Sequence, residues 1–539
     1  MRTFKLQYIR NLAIAGISAV VALAGCTKDF ERINTNPYGV SEDDLKTDFR
    51  LIGEPFKQIQ NSIYGNSPGW VMQVQQNLEG DIWSGYMGVP GPFGNGGNNN
   101  STYNLIDGWT VVMWGCAYGN YPDAPNLSVM PVARRIEQLA GEEFKDFKAW
   151  MQILKVLVMQ RVSDVYGPII YTKYGVINPD KSIDYDSQKD AYYAFFKDLN
   201  DAITVLTPLR NSALKPFEKF DLTYDGSYGA WLKFANSLRL RLAIRIAKVD
   251  PVKAKAEGEA ALSNPGGLLS TVADIAAVNI APTPNPYNTY TSGYNDIRMG
   301  APMESILTGY NDPRIAKYFD TATAMPGGIY KGIRTGIALP DKIYADYSKL
   351  APMPSKMQLM TAAEVWFLKA EAALRGWAEA GTAKDNYEAG VRASFAQYEL
   401  ASRADAYLAN NTAKAAPYVD TKNPVNNVNA SDPTISTVTI RWEEGDAFER
   451  KLERIITQKW ISVFPDGQEA WSEFRRTGYP KLFKVVVNNS GGKIPTDLYI
   501  RRVNFANTEY ASNPLGVQRA VTLLGGPDNG GTRLWWDKP

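Results

Sequence analysis

"KDFKAWMQILKVLVMQRVSDVYGPI", residues 145–169, decides how this chain folds. Phe147, Met151, Leu154, Val158, Val162 and Val165 recur three or four positions apart, the period of one helix face. Gly167 and Pro168 stop the pattern. A second case is "GAWLKFANSLRLRLAIRIAKVDP", residues 229–251, with Trp231, Phe234, Leu238, Leu242, Ile246 and Val249 on one face. Lys233, Arg241, Arg245 and Lys248 fill much of the remainder, which reads as a solvated face rather than an anion site.

Residues 361–377, "TAAEVWFLKAEAALRGW", start with Thr361 and Glu364 in capping-box spacing, and Gly376 serves as terminator. Residues 383–400, "AKDNYEAGVRASFAQYEL", form an amphipathic partner after a short turn. A similar pair runs from Asp190 to Leu206 and from Gly229 to Lys248. Repeated helix hairpins predict an all-α, tetratricopeptide-like array with long loop elaborations, although no strict repeat of ~34 residues is visible.

The N-terminus has its own logic. Arg2, Lys5 and Arg10 precede a short apolar run, Leu12 to Leu23, the pattern of a secretory signal over residues 1–25. Leu23-Ala24-Gly25-Cys26 resembles a bacterial lipobox, so Cys26 is expected to carry the lipid anchor and residues 26–539 to form one domain. Several acyl chains hold a protein on a membrane durably where one does not. No later apolar run approaches the ~18 residues of a membrane span.

Removing the signal leaves 55 Lys plus Arg against 56 Asp plus Glu, so nothing in the balance asks for a polyanionic partner. Cys116 then stands apart from any disulfide framework and reads as a small buried side chain. The chain has no histidine, which excludes Ser-His-Asp and Cys-His nucleophile systems and His-ligated zinc. Paired carboxylates, as in a glycoside hydrolase, remain open. No P-loop, dinucleotide fingerprint or EF-hand loop occurs. Cofactors are not expected; structural calcium stays open, because Asp and Asn are plentiful but no spacing marks a site.

Two loop regions draw attention. Residues 64–121 hold ten aromatics and only three charges, Glu79, Asp81 and Asp107. Within them runs the Gly/Asn-rich "WSGYMGVPGPFGNGGNNNSTYN". Residues 281–298, "APTPNPYNTYTSGYNDIR", set Tyr287, Tyr290 and Tyr294 among Asn288, Asn295 and Arg298. Long ordered loops in a helical protein are where function is usually kept.

Aromatic rings in neutral loops with amides and carboxylates nearby suit sugars, whose C–H faces stack while hydroxyls hydrogen-bond. Nucleic acid fits poorly without Lys and Arg. The candidate ligand residues are Asp81, Trp83, Tyr86, Asn98, Tyr290, Tyr294, Asn295 and Arg298. Phe93 and Tyr103 also flank Gly and Asn, whereas Trp70, Trp109 and Trp114 lie among apolar neighbours and read as core. On this reading Trp83→Ala weakens ligand binding at unchanged melting temperature. In "QKWISVFPDGQEAWSEFRRTGYP", residues 458–480, Asp466, Glu469, Glu473, Arg475 and Arg476 read as structural ion pairs around Trp471 rather than as catalysts.

Eight strings in order resemble the SusD/RagB family of Bacteroidetes outer-membrane nutrient-binding lipoproteins, in its SusD-like branch. They are "CTKDFERINTNP" (26–37), "LKVLVMQRVSDVYGPIIYT" (154–172), "YDSQKDAYYAFFKDLNDAI" (185–203), "WLKFANSLRLRLAIRI" (231–246), "NDPRIAKYF" (311–319), "AAEVWFLKAEAALRGW" (362–377), residues 458–480 and "TRLWWDKP" (532–539). The resemblance implies a non-enzymatic binding protein that sits as a lid on a SusC-like TonB-dependent transporter. It would deliver glycans, or in some members peptides. Asp29 and Glu31 are similar to the family's surface-export signal, with Lys28 interrupting it. The resemblance further implies a sugar site made from an early loop and a mid-chain loop.

Overall fold

The structure is a computed structural model that describes residues 48–539 apart from 67, 93–96, 324 and 326. Cys26, Asp29, Glu31 and the signal segment therefore lie outside the described residues, as does Phe93. The chain divides into Met1–Leu51 and a compact unit from Ile52 to Pro539, and the second unit carries the architecture.

Helices dominate it: α1 (Pro55–Ser62), α2 (Met130–Ala140), α3 (Lys145–Tyr166), α4 (Gln188–Leu206), α5 (Tyr228–Arg245), α6 (Pro251–Leu262), α7 (Ala301–Gly309), α8 (Ala362–Leu374), α9 (Ala383–Gln397), α10 (Phe448–Ser462), α11 (Gly467–Thr477) and α12 (Pro514–Leu524). Their starts follow the sequence. Ser187, Ser227, Asp250, Thr382 and Asp466 each accept a hydrogen bond from a backbone N–H in the first turn of the helix they precede. Thr361 caps α8 in the same way, its Oγ1 accepting from the Glu364 N–H at 3.1 Å. The other half of the expected capping box is diverted, because the Glu364 carboxylate turns inward to Arg241.

α3 is the central helix and is buried on nearly every side, beyond the single apolar face read from its sequence. It forms a hairpin with α4, α5 with α6, and α8 with α9. The array continues through contacts of α4 with α5, α5 with α8 and α8 with α10. The segments 190–206 and 229–248 do touch, but each packs more extensively on a different neighbour, α3 and α6 respectively.

Two of the four basic residues read as a solvated face overturn that reading, while Lys233 is half-buried and Lys248 exposed. Arg241 and Arg245 are buried, and Arg241 makes a two-pronged bond to Glu364, 2.7 Å for both Nε and Nη2. Arg245 reaches Glu473 at 2.7 Å and also Glu469. Lys459 of α10 donates to Glu469 at 2.9 Å, and Arg476 holds Glu371 and Glu473, each at 2.6 Å. Four carboxylates thus face four cations inside the core, joining α5, α8, α10 and α11. This neutrality makes burial tolerable, since an unpaired charge there is far costlier than a pair.

Short ribbons tie the loops down. β1 (Met87–Gly88) pairs antiparallel with β3 (Arg298–Met299), Met87 opposite Met299. β2 (Ala276–Asn279) pairs antiparallel with β4 (Lys356–Met360).

Burial alone would raise the Glu469 and Glu473 carboxyls; the surrounding guanidinium groups and Lys459 outweigh it and hold both below the usual range. Carboxyls depressed in the folded state contribute stability that is full above their ordinary value of 4.5 and is lost as pH falls through the folded values. Glu473→Ala leaves Arg245 and Arg476 short of a partner and is expected to cost about 3–5 kcal/mol at pH 7 in denaturant unfolding, with the difference from wild type shrinking in acid.

Candidate functional site

The early loop enters as a wide-turned π-helix, Gln73–Asp81, whose end presses on the start of α11. Glycine permits the approach: a Cβ on Gly467 would lie 2.4 Å from the Asp81 Cα, and one on Gly80 2.9 Å from the Gln468 Cα. Asp81 is fully buried there. Its carboxylate accepts from the Gly467 N–H at 3.1 Å, from Asn77 Nδ2 at 3.0 Å and from the Tyr287 hydroxyl at 2.8 Å. Burial pushes its carboxyl up to about 7, against the pull of those hydrogen bonds and with Asp466 adding to the rise.

Most of the expected ligand residues prove to be the underside of the loops. Trp83 packs its ring 4.8 Å from Trp471 and donates Nε1–H to the Asn100 carbonyl at 3.0 Å. Tyr86 lies between Trp460 and Phe464, its hydroxyl donating to the Trp460 carbonyl. Tyr290 is buried and donates to the Gly69 carbonyl. Arg298 is buried too, spending its donors on the carbonyls of Ile297 (2.7 Å), Ala345 (2.6 Å) and Thr291 (3.3 Å) and on Asn295 Oδ1. Burial brings its guanidinium down to about 10. Asp81, Trp83, Tyr86, Tyr290 and Arg298 therefore present no free face to a ligand: they position the loops. Tyr103 is buried as well.

The residues that do reach solvent differ from expectation in both directions. Tyr294 is 48% exposed and stacks on Tyr290 at 6.3 Å and 28°. Asn295 is half-buried and Asn98 exposed, the latter's carbonyl accepting from Asn104 Nδ2 at 3.0 Å. Trp70 and Trp109, read as core, are only half-buried, whereas Trp114 is buried. Trp70 lies 6.0 Å from Tyr121. Beside Tyr294, Asp296 accepts from Gln73 Nε2 at 3.2 Å and faces Lys342 at 3.8 Å. The Tyr290–Gly69 and Gln73–Asp296 bonds fasten the turn carrying Trp70 to the turn carrying Tyr294.

A cavity of about 380 Å³ opens between β2, β4 and the end of α9, with Gln76 and Tyr287 of the two loops in its lining. Tyr64, Tyr287, Tyr318, Tyr398, Phe464 and Asp466 are among its lining residues. They come from segments far apart in sequence, so no local pattern announces it. Among the described residues no group of three or more acidic or cysteine side chains is placed to hold a metal ion, and no helix is long and apolar enough to cross a membrane.

Long ordered loops held on a rigid helix-hairpin scaffold are a frame on which binding sites are commonly built. A family model described as SusD-like, "Susd and RagB outer membrane lipoprotein", matches residues 32–537, and the chain belongs to that family. It is similar to a chitin-binding SusD homologue from Flavobacterium johnsoniae at 47% identity and TM-score 0.85, covering 90% of this chain and 98% of that one. SusD homologues from Bacteroides vulgatus (36% identity, 92% and 99% covered, TM-score 0.82) and Bacteroides uniformis (38%, 91% and 99%, 0.81) are also similar. No curated protein matches the chain.

Trp83→Ala is now expected to cost about 3–5 kcal/mol of folding stability, by removing a buried ring. Thermal and denaturant melts read it directly, and an unchanged melt would return Trp83 to the ligand surface. Asp81 gives a pH test. A carboxyl raised in the folded state costs stability progressively as pH climbs from its ordinary 3.8 to about 7, the penalty being full above that. Asp81→Asn is expected to gain stability over wild type at pH 8 and to lose that gain near pH 4; a gain independent of pH rules out titration of Asp81.

Proposed function

We propose that this chain is a cell-surface lipoprotein, anchored through Cys26, that captures oligosaccharides and passes them to a SusC-like TonB-dependent transporter. The observation that carries the proposal is the Tyr294 ring, 48% exposed and stacked on buried Tyr290, in a turn whose Asp296, two residues on, is bonded to Gln73 and faces Lys342. A ring fixed from behind offers a pyranose C–H face a platform at little entropic cost, and the amide, carboxylate and ammonium groups suit its hydroxyls. The 47%-identical relative binds chitin, which makes N-acetylglucosamine oligomers the first candidates. Asp29 and Glu31 support an outward orientation.

Peptide delivery finds less support on this face. A bound extended peptide needs backbone groups to pair with. Around Tyr294 they bond internally, the Tyr294 N–H to the Thr289 carbonyl at 2.8 Å and the Asp296 N–H to the Tyr290 carbonyl at 2.9 Å. Hydrolysis finds no support either: Glu469 and Glu473 are buried in ion pairs, and Asp81 is sealed beneath Tyr287.

Calorimetric titration of the full chain in detergent against chitin oligosaccharides, other glycans and mixed peptides tests the reading. Saturable heat with a glycan is expected, and Tyr294→Ala is expected to weaken it about tenfold, the scale of one aromatic contact. Folding stability should stay within about 0.5 kcal/mol, since the ring is half-exposed. Heat with peptides alone, or a Tyr294→Ala protein that binds glycan as wild type does, overturns it. Co-purification from solubilised outer membrane should recover a large barrel protein; its absence argues against the transporter.

A further inference from the structure

We infer that the cavity between β2, β4 and the end of α9 is a second binding site, which takes an aryl or branched-alkyl group carrying a carboxylate at its outer end. Its volume of about 380 Å³ falls among small-molecule pockets, about 300–1,000 Å³. The walls are apolar and held in place. Tyr318 stacks on Phe464 at 4.6 Å and 28°, Tyr398 meets the edge of Tyr318 at 5.0 Å, and Tyr318 is pinned by its bond to the Ile461 carbonyl at 3.0 Å. Met353 and Met357 supply adaptable surface opposite.

The inner polar groups are already spent on one another. Arg161 holds both Asp466 oxygens, at 3.1 and 2.9 Å, and the Gln76 side-chain oxygen Oε1 at 2.6 Å. Tyr287 donates to Asp81 and Tyr64 to the Gln358 carbonyl. Gln397 Nε2 donates to Gln358 Oε1 at 2.9 Å, while Gln358 Nε2 donates to the Val463 carbonyl at 3.2 Å. A sugar entering here would shed its hydration shell without finding replacement partners, whereas an apolar group loses nothing.

The mouth has the opposite character. Lys317 and Lys356 stand exposed at the rim. Among the described residues Lys356 meets no carboxylate, and Lys317 reaches Glu399 only at 3.7 Å. Two ammonium groups over an apolar chamber complement a ligand that is greasy within and anionic at its exit. A free aryl-alkyl acid and the C-terminal residue of a peptide share that chemistry. The site borrows Gln76 and Tyr287 from the two loops that carry the Tyr294 platform, with Tyr287 5.9 Å from Tyr290, but its argument does not depend on the glycan reading.

Ligand-detected NMR on the full chain in detergent tests it with three probes: 4-phenylbutyrate, the neutral 4-phenylbutanol, and N-acetylglycyl-phenylalanine with a free C-terminus. Ala277 lines the cavity, so Ala277→Trp fills it and also controls for partition into detergent. Saturable binding of both anionic probes to wild type is expected, abolished in Ala277→Trp. Lys356→Glu is expected to weaken the anionic probes about threefold to tenfold, the scale of one exposed ion contact, and to leave the alcohol unchanged. Tighter binding of the peptide identifies a chain terminus as the source, and tighter binding of phenylbutyrate a free acid. The inference is overturned if wild type shows no saturable binding, if Ala277→Trp binds as wild type does, if Lys356→Glu shifts neutral and anionic probes alike, or if either variant abolishes glycan binding.

Discussion

Arg245, held between Glu469 and Glu473, is the contact on which the rest of the architecture leans. Through it and its neighbours Arg241, Lys459 and Arg476, four helices from widely separated parts of the chain share one neutral knot of charge. Such knots add little net stability over an apolar core, because desolvation offsets attraction. What the geometry does show is that each cation in this one meets a carboxylate of another helix. Any slip of α5 along α11 strands a carboxylate in the dark.

The knot also reaches the loops. α11, which supplies Glu469 and Glu473, begins at Asp466, and Asp466 grips Arg161 of α3. Arg161 holds Gln76 in the π-helix, and the same π-helix ends in Asp81, locked against Gly467 and Tyr287. Arg298 then clamps the mid-chain loop by its carbonyls. Charge in the core is thereby relayed, contact by contact, to the ledge on which Tyr294 stands.

This relay explains what the sequence disclosed and what it withheld. The helices around 145–166 and 362–397 were legible because a period of 3.6 and a cap are local properties. Arg241 and Arg245 were misread because their partners lie more than 100 positions away, and an amphipathic pattern alone cannot distinguish water from a distant glutamate. Aromatic exposure failed for a related reason. Gly and Asn around Trp83 and Tyr86 signal a loop correctly, but the loop folds its rings down onto Trp471 and Trp460. Trp70 and Trp109, amid apolar neighbours, end only partly buried, Trp70 packing against the cluster of Val71, Val112 and Cys116.

Burial of the expected ligand residues strengthens the case for the surface above them. A platform of one tyrosine binds weakly if it wanders, since the entropy lost in ordering the side chain and its loop offsets the attraction to the ligand. Here Tyr290 lies beneath Tyr294 and is bonded to the Gly69 carbonyl, Gln73 braces Asp296, and the β1–β3 ribbon fixes the two loops side by side. The ordering cost of this surface is met when the protein folds.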